Sequence, residues 1–332
     1  MGISNFFHAV LNHLLSWIHL AENREYGWKT VDRTTGRLTR EQQPLLKKLK
    51  LLLLFNPVTE WLDTTHLMRR YIHNKSVREG RTEVTLASRN KIQRFVETYN
   101  ISMDDFTPSD ISQYSTFEDF FIRHHAPGSR PIYKPDEPSS AVVVADSRVV
   151  VYETVSETKQ LWIKGHNFSI ASLVMDTALG SQFRDGAIAS FRLSPQDYHR
   201  YHSPVTGRIK LFRSVPGDYY QVDPVALNSD VDILTRNARG YLVIETESFH
   251  DVLFVAIGAT NVGTVDFQKK WQEPGAEVKK GDELGLFQFG GSSIIVAFQK
   301  GRVEFDEDLG DLSRQRIQVS VQVGVSLGSA KP

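Results

Sequence analysis

Hydrophobic residues recur at helical spacing in the first hundred residues of the chain. In Asn5–Ile18 the apolar side chains return every third or fourth position, which predicts an amphipathic helix. Similar spacing predicts helices over Arg40–Leu54, Glu60–Asn74 and Ser88–Tyr99. We therefore expect a helical N-terminal segment over residues 1–105. Its first helix packs on its own domain or, as the alternative, contacts a membrane surface.

The pattern changes at Phe117, where short β-branched runs separated by turn residues begin. Alternating or continuous apolar runs of about four to eight residues are typical of strands. Such runs cover residues 142–152, 241–246, 252–258, 294–298 and 317–323. The sequence therefore predicts an α+β protein, in which the helical segment is followed by a β-rich, barrel-sandwich-like domain over residues 106–332.

A weak internal repeat lies within this β-rich part. Val278–Gly285 and Val321–Gly328 share the spacing V-x-x-G-x-x-L-G. Two related β-turns in a barrel-like sandwich, as in lipoyl-type folds, would explain the match. Coincidence is the alternative, because the repeat is short.

Composition narrows the chemistry. The 39 Lys and Arg balance the 39 Asp and Glu, so no global field favours nucleic acid or an anionic membrane. The chain has no cysteine, which excludes disulfides, a thiol nucleophile and thiolate metal sites. The longest apolar run, Leu51–Phe55, is too short to span a bilayer, and the N-terminus lacks a signal or transit pattern. We expect a cytoplasmic protein, or one peripheral on a membrane, that binds neither nucleic acid nor metal.

Two histidines stand close together in Arg192–Pro204. Ser194 and Asp197 have the spacing of a helix cap, which predicts a helix of one or two turns. On that helix His199 and His202 would share a face. Imidazoles suit acid–base catalysis near neutral pH, but a structural turn and an H-x-x-H metal pair also fit this spacing.

The second chemical feature is Gly290–Ser293, which reads Gly-Gly-Ser-Ser between two apolar runs. A glycine-bearing bulge or turn is the simpler local interpretation. A serine after a glycine can also attack the carbonyl just before it, because glycine offers little steric resistance to bending the peptide into a tetrahedral adduct.

Taken together and in this order, segments from Phe117 to Phe298 resemble the phosphatidylserine decarboxylase family. The matching segments are Phe117–Arg123, Ser129–Ile132, Asp146 after a strand, Trp162–Gly165, Leu193–His202, Asn237–Arg239, Gly258–Gly263, Lys280–Phe287 and Gly290–Ser293. The first hundred residues match only loosely. Gly290 and Ser293 replace the leucine and threonine common at the ends of the family's cleavage tetrapeptide.

The resemblance implies a proenzyme that cuts itself between Gly291 and Ser292. It implies that Asp146 orients His202, which removes the proton of Ser292. Attack on the Gly291 carbonyl, β-elimination and hydrolysis would leave a large subunit, a small subunit and a pyruvoyl group derived from Ser292. That ketone would form a Schiff base with phosphatidylserine, release CO2 and give phosphatidylethanolamine, with His199 returning a proton to the substrate.

Two other functions stay open on the sequence. A soluble relative acting on a free amino acid, for example an aromatic one in specialised metabolism, would use the same pyruvoyl chemistry, since both substrates present an α-amino carboxylate. A non-catalytic, lipoyl-like binding module would use Gly290–Ser293 only as a turn and would not cut itself.

Overall fold

The computed structural model describes residues 28–41, 82–157, 169–217, 233–258, 265–288 and 292–331. The helices are α1 (Ile92–Tyr99), α2 (Phe117–Phe121), α3 (Ile170–Val174), α4 (Thr177–Gln182), α5 (Ile233–Arg236) and α6 (Glu307–Arg314), with 3₁₀ turns at Leu86–Lys91, Ile111–Gln113 and Lys269–Trp271. The strands are β1 (Trp28–Asp32), β2 (Leu38–Glu41), β3 (Phe106–Thr107), β4 (His124–His125), β5 (Ser140–Val142), β6 (Ser147–Tyr152), β7 (Ala187–Leu193), β8 (Arg200–His202), β9 (Gly207–Val215), β10 (Arg239–Thr246), β11 (His250–Ile257), β12 (Val265–Phe267), β13 (Glu277–Val278), β14 (Glu283–Phe287), β15 (Ser292–Phe298), β16 (Val303–Phe305), β17 (Gln318–Val321) and β18 (Ser326–Ala330). This strand-rich arrangement with short helices agrees with the expected α+β class.

Ten strands form the main sheet, in the order β13-β9-β10-β11-β15-β7-β6-β17-β1-β2. Its centre is antiparallel, and every residue of β7 and β15 is buried. The continuous apolar run Ile294–Phe298 suits a strand that is covered on both faces. The five predicted strand runs are confirmed, although the first one is interrupted over residues 143–146, between β5 and β6.

Two three-stranded sheets, β12-β14-β8 and β16-β18-β5, share one construction. In each sheet the middle strand follows the turn of the V-x-x-G-x-x-L-G sequence, and its pairing with the last strand shifts register once. Gly281 and Gly324 have φ angles of 86° and 88°, in the left-handed region that glycine adopts without strain. The predicted repeat is thus confirmed as two structurally equivalent turns.

Both turns pack on the side chain of Ile132. A Cβ atom on Gly281 would lie 2.6 Å from Cδ1 of Ile132, and one on Gly324 would lie 2.9 Å from the same atom. Glycine at both positions therefore lets one isoleucine fit between the two turns. Ile132 therefore packs against the glycine turns of both small sheets.

The expectation for the N-terminus needs correction. Residues 28–41 form a hairpin in which β1 pairs with β2 and, in parallel, with β17 of the main sheet. Arg40, where a helix was predicted to begin, belongs to β2. The helix over Ser88–Tyr99 is confirmed as a 3₁₀ turn that continues into α1. The helices predicted over residues 5–18 and 60–74, and nearly all of the one over 40–54, lie outside the described residues.

Strand pairing explains this correction, because β1 contains the β-branched Thr30 and Val31 and lies alongside β17. Within the described ranges the sheets do not close into a barrel, since the main sheet begins at β13 and ends at β2. The barrel part of the fold expectation is therefore wrong. No helix in these ranges is long and apolar enough to cross a membrane.

Candidate active site

Three strands of the main sheet are joined along the chain to the three strands of the sheet β12-β14-β8. Strands β7, β15 and β11 are neighbours in the main sheet, and the strands joined to them along the chain, β8, β14 and β12, are neighbours in the small sheet. The linking residues are 194–199, 288–291 and 258–264. Strands β14 and β15, which flank the predicted cleavage site in the sequence, are the middle strands of these two groups. Their ends therefore lie between those of β7 and β8, which flank the histidine segment, and those of β11 and β12, which flank the Gly258 motif.

Hydrogen bonds fix these strand ends. The N–H of Phe287, the last residue of β14, donates to the carbonyl of His199 at 2.8 Å. Ser292, the first residue of β15, pairs with Leu193, the last residue of β7. The chain on both sides of the predicted cleavage site is thus held against both ends of the histidine segment.

The histidine segment is a turn followed by a strand, and the helix predicted here is wrong. The Asp197 carboxylate accepts from the N–H of Ser194 at 2.6 Å and pairs with Arg148, as a capping residue would. The chain then enters β8, which pairs with β14. This pairing overrides the local helix signal. His199 ends the turn and His202 lies in β8, so the two histidines do not share a helix face as predicted.

His199 is fully buried. Its Nδ1 donates to the carbonyl of Asp197 at 2.8 Å, and its ring lies 4.0 Å from the ring of Phe121. A carbonyl only accepts, so Nδ1 of His199 carries a proton. Arg123 supports the turn by donating to the carbonyl of Gln196 at 2.9 Å. Burial lowers the pKa of Arg123 to about 10, which leaves it charged at neutral pH.

His202 has a partner on each ring nitrogen. Nδ1 lies 2.8 Å from the Gly281 carbonyl, and Nε2 lies 3.1 Å from the hydroxyl of Tyr198. Nδ1 therefore holds the ring proton, and Nε2 accepts from the phenol. Burial lowers the pKa of His202, against the opposing effect of the Gly281 carbonyl, and burial raises the pKa of Tyr198. A neutral imidazole with its lone pair on Nε2 is the form that a general base requires.

Asp146 has partners other than the one that the family resemblance implies. One oxygen accepts from the N–H of Val323 at 2.8 Å, while Arg130 lies 2.9 Å and His125 lies 3.3 Å from the other oxygen. Burial alone would raise the pKa of Asp146, but the close side chains of His125 and Arg130 outweigh it and lower the pKa to about 2. The carboxylate is therefore charged. It does not orient His202 by direct contact, because both ring nitrogens of His202 have other partners.

Stacked rings connect Asp146 to His202. The ring of His125 lies between Phe106, at a centroid distance of 4.9 Å, and Tyr198, at 3.9 Å. The Tyr198 hydroxyl then contacts His202. Sequence reasoning did not select His125 or Tyr198 as site residues. The available signals were the double histidine that contains His125 and the place of Tyr198 inside the D-Y-H-R motif.

Ser292 is fully buried, and its Oγ has no hydrogen-bond partner among the described residues. A buried hydroxyl without a partner costs about 1–3 kcal/mol, so such a group calls for an explanation. Gly291 and the segment Trp162–Gly165 lie outside the described residues. Within those residues no group of three or more His, Asp or Glu side chains is placed to hold a metal ion.

Comparison with known proteins gives a consistent result. The sequence model of the family described as phosphatidylserine decarboxylase matches residues 117–329. The chain is 37% identical over 302 residues to "Phosphatidylserine decarboxylase proenzyme 2" of Oryza sativa subsp. japonica, an alignment that covers 90% of this chain and 47% of the relative. It is 36% identical over 300 residues to the protein of the same name in Komagataella phaffii, with 90% and 29% covered.

A bacterial relative is covered almost completely. The chain is 32% identical over 302 residues to "Phosphatidylserine decarboxylase proenzyme" of Fusobacterium nucleatum, with 91% of this chain and 97% of the relative aligned. The chain therefore spans less than half the length of the plant and yeast relatives and nearly all of the bacterial one.

Proposed function

We propose that this chain, which belongs to the phosphatidylserine decarboxylase family, is a proenzyme that cuts itself between Gly291 and Ser292 and then decarboxylates phosphatidylserine to phosphatidylethanolamine. The observation that carries the proposal is the buried Ser292 hydroxyl, which has no hydrogen-bond partner among the described residues and lies at the strand end beside the histidine segment. A structural serine in a strand would satisfy its hydroxyl, whereas a nucleophile has to keep its lone pairs available.

Self-cleavage uses groups of the chain alone. His202 is neutral and accepts the proton of Ser292 through Nε2 once the Tyr198 hydroxyl yields that position. The Ser292 oxygen attacks the Gly291 carbonyl, and the peptide amide becomes an ester with a free amine on residue 292. A base removes the Cα proton of residue 292 and the Cβ–O bond of the ester breaks, which releases the Gly291 carboxylate and leaves dehydroalanine. Water then converts this residue to a pyruvoyl group and ammonia.

Asp146 acts on His202 indirectly, through other side chains. Its charge holds His125 and Arg130, and the His125 ring supports Tyr198, whose hydroxyl donates to His202. In this arrangement Asp146 is a positioning residue for the base. The same carboxylate fixes the turn at Val323 through a backbone hydrogen bond.

The pyruvoyl group, once formed, supplies the electron sink for loss of CO2 from an α-amino carboxylate. His199 is the candidate to carry the proton that the α-carbon takes up afterwards. Its carbonyl accepts from the N–H of Phe287, which lies close in sequence to the new chain end that cleavage would create at Gly291. Burial of His199 keeps bulk water away from that proton transfer. The phospholipid brings its serine headgroup to this site from a membrane surface.

The decisive experiment compares two adjacent serines. Wild-type protein should give two chains on a denaturing gel, and mass spectrometry should find a small chain of residues 292–332 that begins with a pyruvoyl group. Ser292→Ala should remain one chain without activity, because it lacks the attacking oxygen. Ser293→Ala is the matched control and should still be cut. An active wild-type protein that contains only the intact chain would refute the proposal.

The substrate is tested separately with mature protein. Phosphatidylserine liposomes should release CO2, whereas free serine and aromatic amino acids should not. Hydroxylamine should abolish the activity, because it traps the essential ketone, and added pyridoxal phosphate should not restore it. Release of CO2 from a free amino acid but not from liposomes would reassign the substrate and leave the cleavage chemistry intact.

A further inference from the structure

The hairpin formed by residues 28–41 contacts the part of the chain that follows the proposed cleavage site. Val31 of β1 lies opposite Val319 of β17, and the N–H of Arg33 donates to the carbonyl of Ser320 at 3.0 Å. On its other side β17 pairs with β6. A strand from beyond the cleavage site is thus enclosed by two strands that precede it.

The side chain of Arg33 extends this contact. Its guanidinium makes two hydrogen bonds to the Asp308 carboxylate, at 2.7 and 2.8 Å, and one to Asp306 at 2.7 Å. A further N–H donates to the carbonyl of Ser326. Asp306 directly precedes α6, Asp308 lies in its first turn, and Ser326 begins β18. One arginine on the hairpin therefore holds both a helix and a strand of the C-terminal part.

The geometry of this contact makes it more than an ordinary surface ion pair. Exposed single pairs contribute little to stability, but a bidentate arginine with several acceptors is held in one orientation. The Arg33 side chain is only 20% exposed. Without the hairpin, β17 would become the edge of the main sheet, with a row of unpaired N–H and C=O groups.

We propose that this hairpin is one of the surfaces by which the N-terminal part of the chain retains residues 292–332 after cleavage, and that Arg33 holds it in place. The inference rests on the proposed cleavage, because in the uncut chain a peptide bond joins the two parts. Strand β15 holds the beginning of the small chain between β11 and β7. The hairpin holds its later elements, β17, α6 and β18, which lie away from the cleavage site.

The test uses the mature enzyme and two substitutions at the contact. Arg33→Ala removes the guanidinium, and Asp308→Asn removes its bidentate partner with little change in volume. Arg37→Ala is the matched control, because that exposed arginine lies at the turn of the same hairpin. Amide exchange of β17 and α6 should be about tenfold faster in both contact variants than in wild type. Native mass spectrometry should also show loss of the small chain at a lower urea concentration.

A second background separates this inference from the cleavage proposal. In uncleaved Ser292→Ala protein, Arg33→Ala should still speed exchange in β17 but cannot release a small chain. If wild-type protein never yields two chains, the cleavage proposal fails, the retention role fails with it, and the exchange data then report only on the hairpin contact. Equal exchange rates and equal urea midpoints for wild type, Arg33→Ala and Arg37→Ala would overturn the inference.

Discussion

The two small sheets are built alike but carry different chemistry. In the sheet with β8, the N–H of Gly281 donates to the carbonyl of Ser203 at 2.9 Å. In the sheet with β5, the N–H of Gly324 donates to the carbonyl of Val143, also at 2.9 Å. The segments beside the two turns also bond to each other, since Val142 donates to Pro204 and His202 donates to Val144. His202 and Val142 therefore hold equivalent places.

The two sheets differ at the proposed site residues. In one turn the N–H of Lys280 donates to the hydroxyl of Thr206 at 3.0 Å, and in the other the N–H of Val323 donates to the carboxylate of Asp146 at 2.8 Å. Thr206 satisfies the backbone without a charge. Asp146 does the same and adds a carboxylate held by Arg130. One sheet thus has His202 where the other has Val142, and the other has Asp146 where the first has Thr206. In each pair only the proposed site residue has an ionisable side chain.

The largest effect should come from making the two sheets alike at His202. His202→Val introduces the residue type found at the equivalent position, Val142, so the sheet should still fold. Cleavage should slow by about a thousandfold or more, since the Ser292 hydroxyl loses its base. A time course of the cleaved fraction on denaturing gels measures the rate, and a melting curve checks the fold. Cleavage at the wild-type rate in a folded variant would show that His202 is structural.

The second exchange concerns Asp146. Asp146→Thr keeps an oxygen acceptor for Val323, as Thr206 provides for Lys280, but removes the charge that holds His125 and Arg130. We expect cleavage to slow by about a hundredfold, because the rings that position His202 lose their anchor. The same time course measures it.

A matched control lies in the other sheet. Thr206→Ala removes the equivalent acceptor and should cost about 1 kcal/mol of stability or less, with normal cleavage, because Thr206 is exposed and carries no charge. If Asp146→Thr were cleaved as fast as Thr206→Ala, the carboxylate would have only the backbone role that it shares with the threonine.

The sequence identified elements whose signals are local. Buried strands such as Ile294–Phe298, the repeated glycine turns and the Ser194 and Asp197 cap all follow from neighbouring residues. The strand at Arg200–His202 could not be predicted, because pairing with β14, about eighty residues away, overrides the local helix signal. The contact of His125 with Tyr198 is equally non-local, since stacking leaves no spacing in the sequence.

The third prediction concerns stability and the shared contact at Ile132. Gly281→Ala would place a Cβ 2.6 Å from Cδ1 of Ile132 at a φ of 86°, so we expect a loss of about 1–3 kcal/mol. Gly324→Ala should cost more, because its Cβ would also lie 2.9 Å from the backbone carbonyl of Pro131, which cannot rotate away. Urea unfolding in the Ser292→Ala background measures both without interference from cleavage.

A double substitution separates the two turns. In an Ile132→Ala background the steric part of the Gly281→Ala cost should largely disappear, whereas much of the Gly324→Ala cost should persist. Equal relief at both glycines would mean that the Pro131 carbonyl adjusts and that the two turns are mechanically equivalent.

The smallest expected effect is a difference in how the two sheets respond to acid. Burial lowers the pKa of His202 below its ordinary value of 6.5, so the neutral base persists above pH 6.5 and is lost as the pH falls through the lowered pKa. Asp146, with a pKa of about 2, stays charged over the same range and should add no inflection. The cleavage rate should therefore be flat above pH 6.5 and fall on a single acid limb. Because the charge of Asp146 raises the pKa of His202, Asp146→Thr should move that limb to lower pH. Initial cleavage rates measured across the pH range test both statements, and a limb centred above pH 6.5, or one that moves to higher pH in the variant, would contradict the assignment of His202 as the base.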